Sequence, residues 1–266
     1  MSRVVSIISL VLWCACSKAP LAPDDVDGEA RWFLVNYDTA SDADVADAIA
    51  KFHKASGAAA LTHANPLEDT LRHLQAGDPA AVGKPDGDAN SARGMITVTL
   101  MPCALASLQP LVVAQNQDVL HPGSYDSYQR TYTSDDAAFA SGKSDTLTWT
   151  VDIAATPLSG HAYTETLLGG ARHVNATAGA TIAGPYLLAR TLLPHPGAMH
   201  DASDYFRQDY QIDVFYERAP GETVHLFAVW RQAKFSLFDT DGDTLVGLML
   251  SNFAKWDDVT AGHCGK

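Results

Sequence analysis

The residues most able to do chemistry are scattered along the chain. Ten histidines, four cysteines and 31 acidic residues are spread over 266 positions. The densest histidine cluster is His195-Pro196-Gly197-Ala198-Met199-His200-Asp201. Zinc sites draw three or four ligands from constrained spacings, whereas Pro196-Gly197 makes this stretch a loop. His53, His63 and His73 recur at a spacing that matches neither a helix nor a strand face, and read as surface residues. Asp239-Thr240-Asp241-Gly242-Asp243-Thr244 has the acidic rhythm of a calcium loop. Such loops need Gly at the sixth position and Glu at the twelfth; here these are Thr244 and Leu250. An acidic turn, with Asp243 or Thr244 capping the helix that follows, is the better reading. Gly-x-Ser-x-Gly is absent, and Gly169-Gly170 ends a strand without a phosphate-loop context. No catalytic residue, metal ligand or cofactor is expected.

What remains is a pair of charges inside apolar strands. Glu165 is in phase with Tyr163 and Leu167, and Arg190 with Leu188 and Leu192. On inner faces they would point into a common space, where they must pair or meet a polar ligand group, because a lone buried charge is costly. Leu187 and Leu193 leave the register of the Arg190 strand open. Trp149 and Trp230 also fall on apolar phases, and Tyr163, Tyr210 and Tyr216 supply polar tips suited to orienting a mostly apolar guest. The candidate ligand-binding set is therefore Trp149, Tyr163, Glu165, Arg190, Tyr210, Tyr216 and Trp230.

The elements that must position these residues lie between Lys143 and Trp230. In Thr146–Ile153, Leu147, Trp149, Val151 and Ile153 share one face and three threonines with Asp152 share the other. That alternation predicts a strand with one buried and one wet face. Strands around Tyr163–Leu167, Tyr186–Leu192, Tyr210–Tyr216 and Val224–Ala233 follow. The last two are joined through Ala219-Pro220-Gly221 as an antiparallel hairpin. Met95–Met101 and Tyr128–Tyr132 supply two more. Between those two, Leu108, Leu111, Val112 and Val119 predict one helix, capped by Ser107 and ended at His121-Pro122-Gly123. Near the C-terminus, Leu245, Leu248, Met249, Phe253, Trp256 and Val259 repeat at three and four, the strongest helical stripe in the chain. Ahead of the strands, Trp32–Tyr37 reads as a strand or packed arm. Ser41 or Asp42 caps a helix carrying Val45, Ala46, Ile49 and Phe52, and Leu67–Leu74 reads as a second, shorter helix.

Net charge is −13, with no Lys/Arg run, which argues against a nucleic-acid partner. Arg3, then the apolar run Val4–Trp13, has the form of an export signal and is too short to span a bilayer. Leu12-Trp13-Cys14-Ala15-Cys16 resembles a bacterial lipobox, with Cys16 the expected lipidated residue and Cys14 the alternative. Beyond it only Cys103 and Cys264 remain, and in an oxidising compartment they are expected to be bridged. The expected organisation is a lipoprotein-type signal at 1–16, a flexible tether at 17–28, a helical N-terminal extension at 29–76, a linker at 77–93 and an α+β domain at 94–266.

The order strand, helix, six strands and a long final helix resembles the START-like, helix-grip family over about Gly94–Lys266. One helix is read here where that family carries two. The resemblance implies an α+β fold: a curved antiparallel sheet of about seven strands wrapped around a long C-terminal helix, with a small helical N-terminal extension outside it. A lipocalin-like or split barrel is the alternative. It also implies a lipid, sterol or polyketide-like guest between sheet and helix. The expected function is thus an exported, lipid-anchored protein of the bacterial envelope that binds an apolar or amphipathic small molecule. The alternatives are an envelope interaction protein with a filled core and a cyclase or hydrolase on the same architecture. Cys16→Ser is expected to release the protein from the membrane fraction. A variant that stays membrane-bound, from a wild type without a lipid adduct, would contradict the anchor.

Overall fold

The computed structural model describes residues 19–156, 160–175 and 179–264. Cys16 and the signal-like segment lie outside them, as does most of the turn expected at 157–160. The described residues contain ten strands: β1 (Leu67–Leu71), β2 (Arg93–Met101), β3 (Ser127–Tyr132), β4 (Thr146–Ala155), β5 (Tyr163–Val174), β6 (Tyr186–Leu192), β7 (Ala198–Met199), β8 (Tyr205–Ala219), β9 (Glu222–Phe235) and β10 (Phe238–Asp239). They form one open, curved antiparallel sheet in the order β1-β2-β9-β8-β6-β5-β4-β3, with β10 on β9 and β7 on β5. The seven expected strands are all present. β8 and β9 form the expected hairpin, pairing Tyr210 with Trp230 and Phe215 with His225.

Both faces of this sheet are covered. On one lie α1 (Val26–Asn36) and α2 (Asp42–Ala55), whose Phe33, Leu34, Ile49 and Phe52 join a buried cluster with Tyr186, Tyr210, Ile212, Tyr216 and Trp230. Ser41 caps α2 in a reciprocal capping box with Asp44, and the apolar positions read from its sequence are all buried. The Trp32–Tyr37 run lies on α1 and the residue that caps its end, not on a strand: Asp25 accepts from the Gly28 amide and fixes the helix start. Leu67–Leu71, expected as helix, is edge strand β1, paired antiparallel to β2 from Leu67↔Val98 to Leu71↔Gly94. A five-residue edge strand with one buried residue carries too little alternation to show its period.

The stretches expected as tether and linker carry packed side chains. Trp32 Nε1 donates to the Pro20 carbonyl at 2.7 Å, and Ala19 and Ala22 are buried. Residues 77–93 hold a short helix, α3 (Asp78–Ala81), whose Asp78 accepts from Arg31 of α1 at 2.6 Å. Farther along, the Asp88 amide donates to Gln208 Oε1 at 2.8 Å, which fixes this segment to β8. A Cβ at Gly87 would stand 2.2 Å from the Tyr210 hydroxyl, so glycine permits this approach.

The other sheet face carries α4 (Leu105–Val112), α5 (Gln117–Leu120), α6 (Asp136–Ala140) and the long α7 (Asp243–Ala261). The single helix expected over Ser107–Val119 is broken into α4 and α5. It starts at Ala104, not Ser107, because Glu217 accepts from the Leu105 amide at 2.8 Å. The N-cap of α7 is Gly242, in place of Asp243 or Thr244. Leu245, Val246, Met249 and Leu250 anchor this helix over β2, while Leu248, Trp256 and Val259 remain exposed.

A Cys103–Cys264 disulfide, Cα atoms 6.0 Å apart, joins the end of α7 to the end of β2 across 161 positions of sequence. Closing so long a loop in the unfolded chain contributes about 5 kcal/mol in the chain-entropy model, an upper figure. The double variant Cys103→Ser/Cys264→Ser is expected to unfold at markedly lower urea with a steeper slope, because the unbridged unfolded chain exposes more surface. Free thiols at both positions in oxidised protein, or an unchanged midpoint, would contradict this.

Candidate functional site

Between the α7-bearing face of the sheet, α7 itself and the segment from α4 to Tyr128 lies a cavity of about 890 Å³. Its floor is set by strand register. Trp149, Val151 and Ile153 of β4 lie opposite Gly169, Leu167 and Glu165 of β5, all on the cavity face. Glycine is needed beneath the indole: a Cβ at Gly169 would fall 2.2 Å from Trp149 Nε1. Arg130 of β3 covers the indole, its guanidinium carbon 4.4 Å from the ring centre, and donates to the Val112 carbonyl at 2.9 Å. The opposite wall is Phe227 of β9 packed edge-on against Phe253 of α7, with centroids 4.7 Å apart. At the mouth, His121 stacks on Trp256 at 4.4 Å and Tyr125 meets the same indole edge-on.

Two charged clusters interrupt this apolar lining. In the first, Arg231 of β9 holds Asp209 of β8 through two contacts of 2.8 and 3.2 Å, the fork geometry of a strong guanidinium–carboxylate pair. Gln211 adds a donor to the same carboxylate. Beside them Glu165 is 8% exposed, and its Oε2 has no hydrogen-bond partner. Burial, with the Asp209 charge adding to it and Arg231 only partly offsetting both, pushes the Glu165 carboxyl up to about 8. At neutral pH it is mostly an uncharged acid.

The second cluster joins α7 to the sheet. His225 Nδ1 lies 2.9 Å from both carboxylate oxygens of Asp257, and Nε2 lies 3.0 Å from Asp213 Oδ1. Thr99 of β2 also donates to Asp257. The imidazole lies flat on Phe215, with centroids 4.0 Å apart. A carboxylate at each nitrogen makes both of them donors, which requires the imidazolium. Burial opposes that charge, but Asp257 and Asp213 outweigh it and push His225 up to about 10. Burial raises Asp213 as well. With both nitrogens engaged, His225 has no free position for proton transfer. It is a strut between helix and sheet.

Three of the residues singled out from sequence, Trp149, Tyr163 and Glu165, line this cavity. The other four are on the opposite face. Arg190 pairs with Asp38 at 2.5 Å and lies over the Tyr37 ring. Tyr210 donates to Gln208 at 2.9 Å, and Tyr216 lies 3.2 Å from His53 Nδ1. Trp230 donates its indole N–H to the Arg72 carbonyl at 2.9 Å. Strands β8 and β9 are buried on both faces, so their more apolar phase turned toward α1 and α2. The phase facing the cavity contains the polar residues Gln211, Asp213, His225 and Arg231. Asp257 lies on the buried face of α7 with Val246 and Leu250, outside the stripe expected from sequence.

No protein-family model matches the chain, and no curated protein matches it. Among solved structures, it is similar to the lipid transfer and protein localization domain of human StarD13, with 8% identity and TM-score 0.45 over 74% of this chain and 84% of that one. It is also similar to a START superfamily protein from Mycobacterium smegmatis, with 10% identity and TM-score 0.37 over 61% and 92%. A third is the Zhui aromatase/cyclase from a Streptomyces species, with 8% identity and TM-score 0.35 over 65% and 92%. Likenesses of this size fix neither a ligand nor an activity.

The buried clusters make stability depend on pH in one direction. The contribution of His225 is complete below the pKa of free imidazole, 6.5, and is lost as pH rises through about 10. Glu165 acts likewise between 4.5 and about 8, because the unfolded carboxyl ionises first. Urea unfolding of the wild type is expected to show stability declining with pH across both windows, and His225→Gln to flatten the upper one. Parallel profiles for the two proteins above pH 6.5 would contradict the strut.

Proposed function

We propose that the protein binds a small, mostly apolar molecule carrying one polar group, held between the sheet and α7. The observation that carries this reading is the cavity itself. Its volume, about 890 Å³, is within the range of sites that enclose a drug-sized ligand. The lining follows the usual division of such sites, with aromatic and aliphatic walls around a few convergent polar atoms. Glu165 supplies one of these atoms with its hydrogen bonding unmet. The N-terminal sequence supports placing this binding protein outside the cytoplasm, anchored to the bacterial envelope through lipid on Cys16. In that setting the membrane is its standing partner, and an apolar guest can pass between lipid and the open lip formed by Leu248, Trp256 and Val259.

Fluorescent fatty acids and sterols are expected to bind saturably and to quench tryptophan emission, because the Trp149 indole borders the cavity. Trp149→Ala is expected to weaken binding by about tenfold, the loss typical of removing an aromatic anchor, beyond any change in folding stability. Non-saturable partitioning, or a Trp149→Ala variant with unchanged affinity and unchanged quenching, would contradict the site.

A further inference from the structure

The polar groups of the cavity are not balanced. Among the described residues lining it, each interior cation is already engaged. Arg231 holds Asp209, His225 holds Asp213 and Asp257, and Arg130 is bound to the Val112 carbonyl beneath its contact with Trp149. Lys255 borders the cavity but is exposed at its mouth. On the acid side, Glu165 Oε2 is buried with no partner. Trp149 Nε1, turned onto Gly169, and His121 Nδ1, at the mouth, are also without partners; what the interior lacks is a free positive charge.

The surroundings of Glu165 narrow this further. Tyr163 lies on the same face of β5, and Tyr125 lines the same cavity from the segment before β3. From β8 and β9, Asp209 and Arg231 face it as a closed pair. An anionic head group placed here could take a hydrogen bond from protonated Glu165 but would meet no free cation, so its charge would stay buried and unpaired, at a cost of several kcal/mol. A hydroxyl would meet the hydrogen bond but draw nothing from the rings. An ammonium group does both, since it donates to the carboxylate in a charge-assisted bond and lies against aromatic faces.

We infer that the guest is an amphipathic amine, its ammonium group on Glu165 between Tyr163 and Tyr125 and its apolar body along the Phe227–Phe253 wall. This rests on the proposed binding function and names the chemical class of its ligand. When the ammonium ion docks, Glu165 gives up its proton to solvent, so binding at neutral pH releases protons.

The test compares dodecylamine, dodecanol and dodecanoate, which share one chain and differ in the head group, by calorimetry in two buffers of different ionisation heat. The amine is expected to bind at least about tenfold more tightly than the alcohol and to release protons, which the alcohol does not. Glu165→Gln is expected to reduce the amine-to-alcohol affinity ratio by about tenfold. Tyr125→Leu, which leaves the buried acid in place, should lower the same ratio and serves if Glu165→Gln does not fold. An alcohol that binds as well as the amine, or a ratio unmoved by these substitutions, would overturn the amine inference and leave the binding function standing. Failure of all three probes to bind would overturn both.

Discussion

A charge taken out of water has to be met by another, and that constraint fixes where α7 sits. Asp257 is buried on the helix and is met by His225 of β9 and Thr99 of β2, while Asp213 of β8 holds the far side of the imidazole. Removing His225 leaves two buried carboxylates without a cation, a loss of several kcal/mol. Apolar packing alone would let α7 slide, because burial of area is non-directional. The contacts of one carboxylate with β2 and β9 do not. With the Cys103–Cys264 bridge holding the chain just past its end, the helix is held at its C-terminal end by chemistry and at its N-terminal end by Leu245, Val246 and Met249. Between these points it stands away from β4 and β5, and the cavity is the space left there.

Much of this architecture was legible in the sequence. Where a strand has one wet face the alternation is unambiguous: β4 exposes three threonines and Asp152, so Trp149 was correctly turned inward, and its neighbour β5 brought Glu165 and Tyr163 with it. The α2 cap, the Cys103–Cys264 pair and the existence of α7 were readable because each depends on local spacing or simple counting, although Leu248, Trp256 and Val259 of the expected α7 stripe are exposed and Val246 and Leu250 are buried in their place. The order of elements implied the sheet and the final helix, and both are present.

The rest was hidden by tertiary context. Burying β8 and β9 on both sides removes the contrast that alternation relies on. Tyr210, Ile212, Val214 and Tyr216 form the more apolar phase, but they meet α1 and α2, elements whose docking no local pattern announces. The cavity took the phase holding Gln211 and Asp213, which is tolerable only because His225 and Arg231, strand partners in the fold, supply the compensating groups. A polar strand phase opposite a polar strand phase marks either solvent or a paired interior, and sequence alone does not separate them. The run Trp32-Phe33-Leu34-Val35 was similarly ambiguous: β-prone residues form a helix here because Asp25 caps it and α2 buries its face.

Glu165 and His225 are each held in a protonation state that folding must maintain at neutral pH, a cost a solid apolar core would avoid. Such groups mark the cavity as more than a packing fault, and the central claim is that it is a built site. A crystal structure of the protein purified without detergent tests this most directly. The expected result is an open volume of about 890 Å³ bordered by Trp149, Glu165 and Phe253, with electron density for a guest or an ordered water on Glu165 Oε2. Tyr125, Trp149 and Phe253 turned inward into contact, with no volume left between sheet and α7, would contradict it.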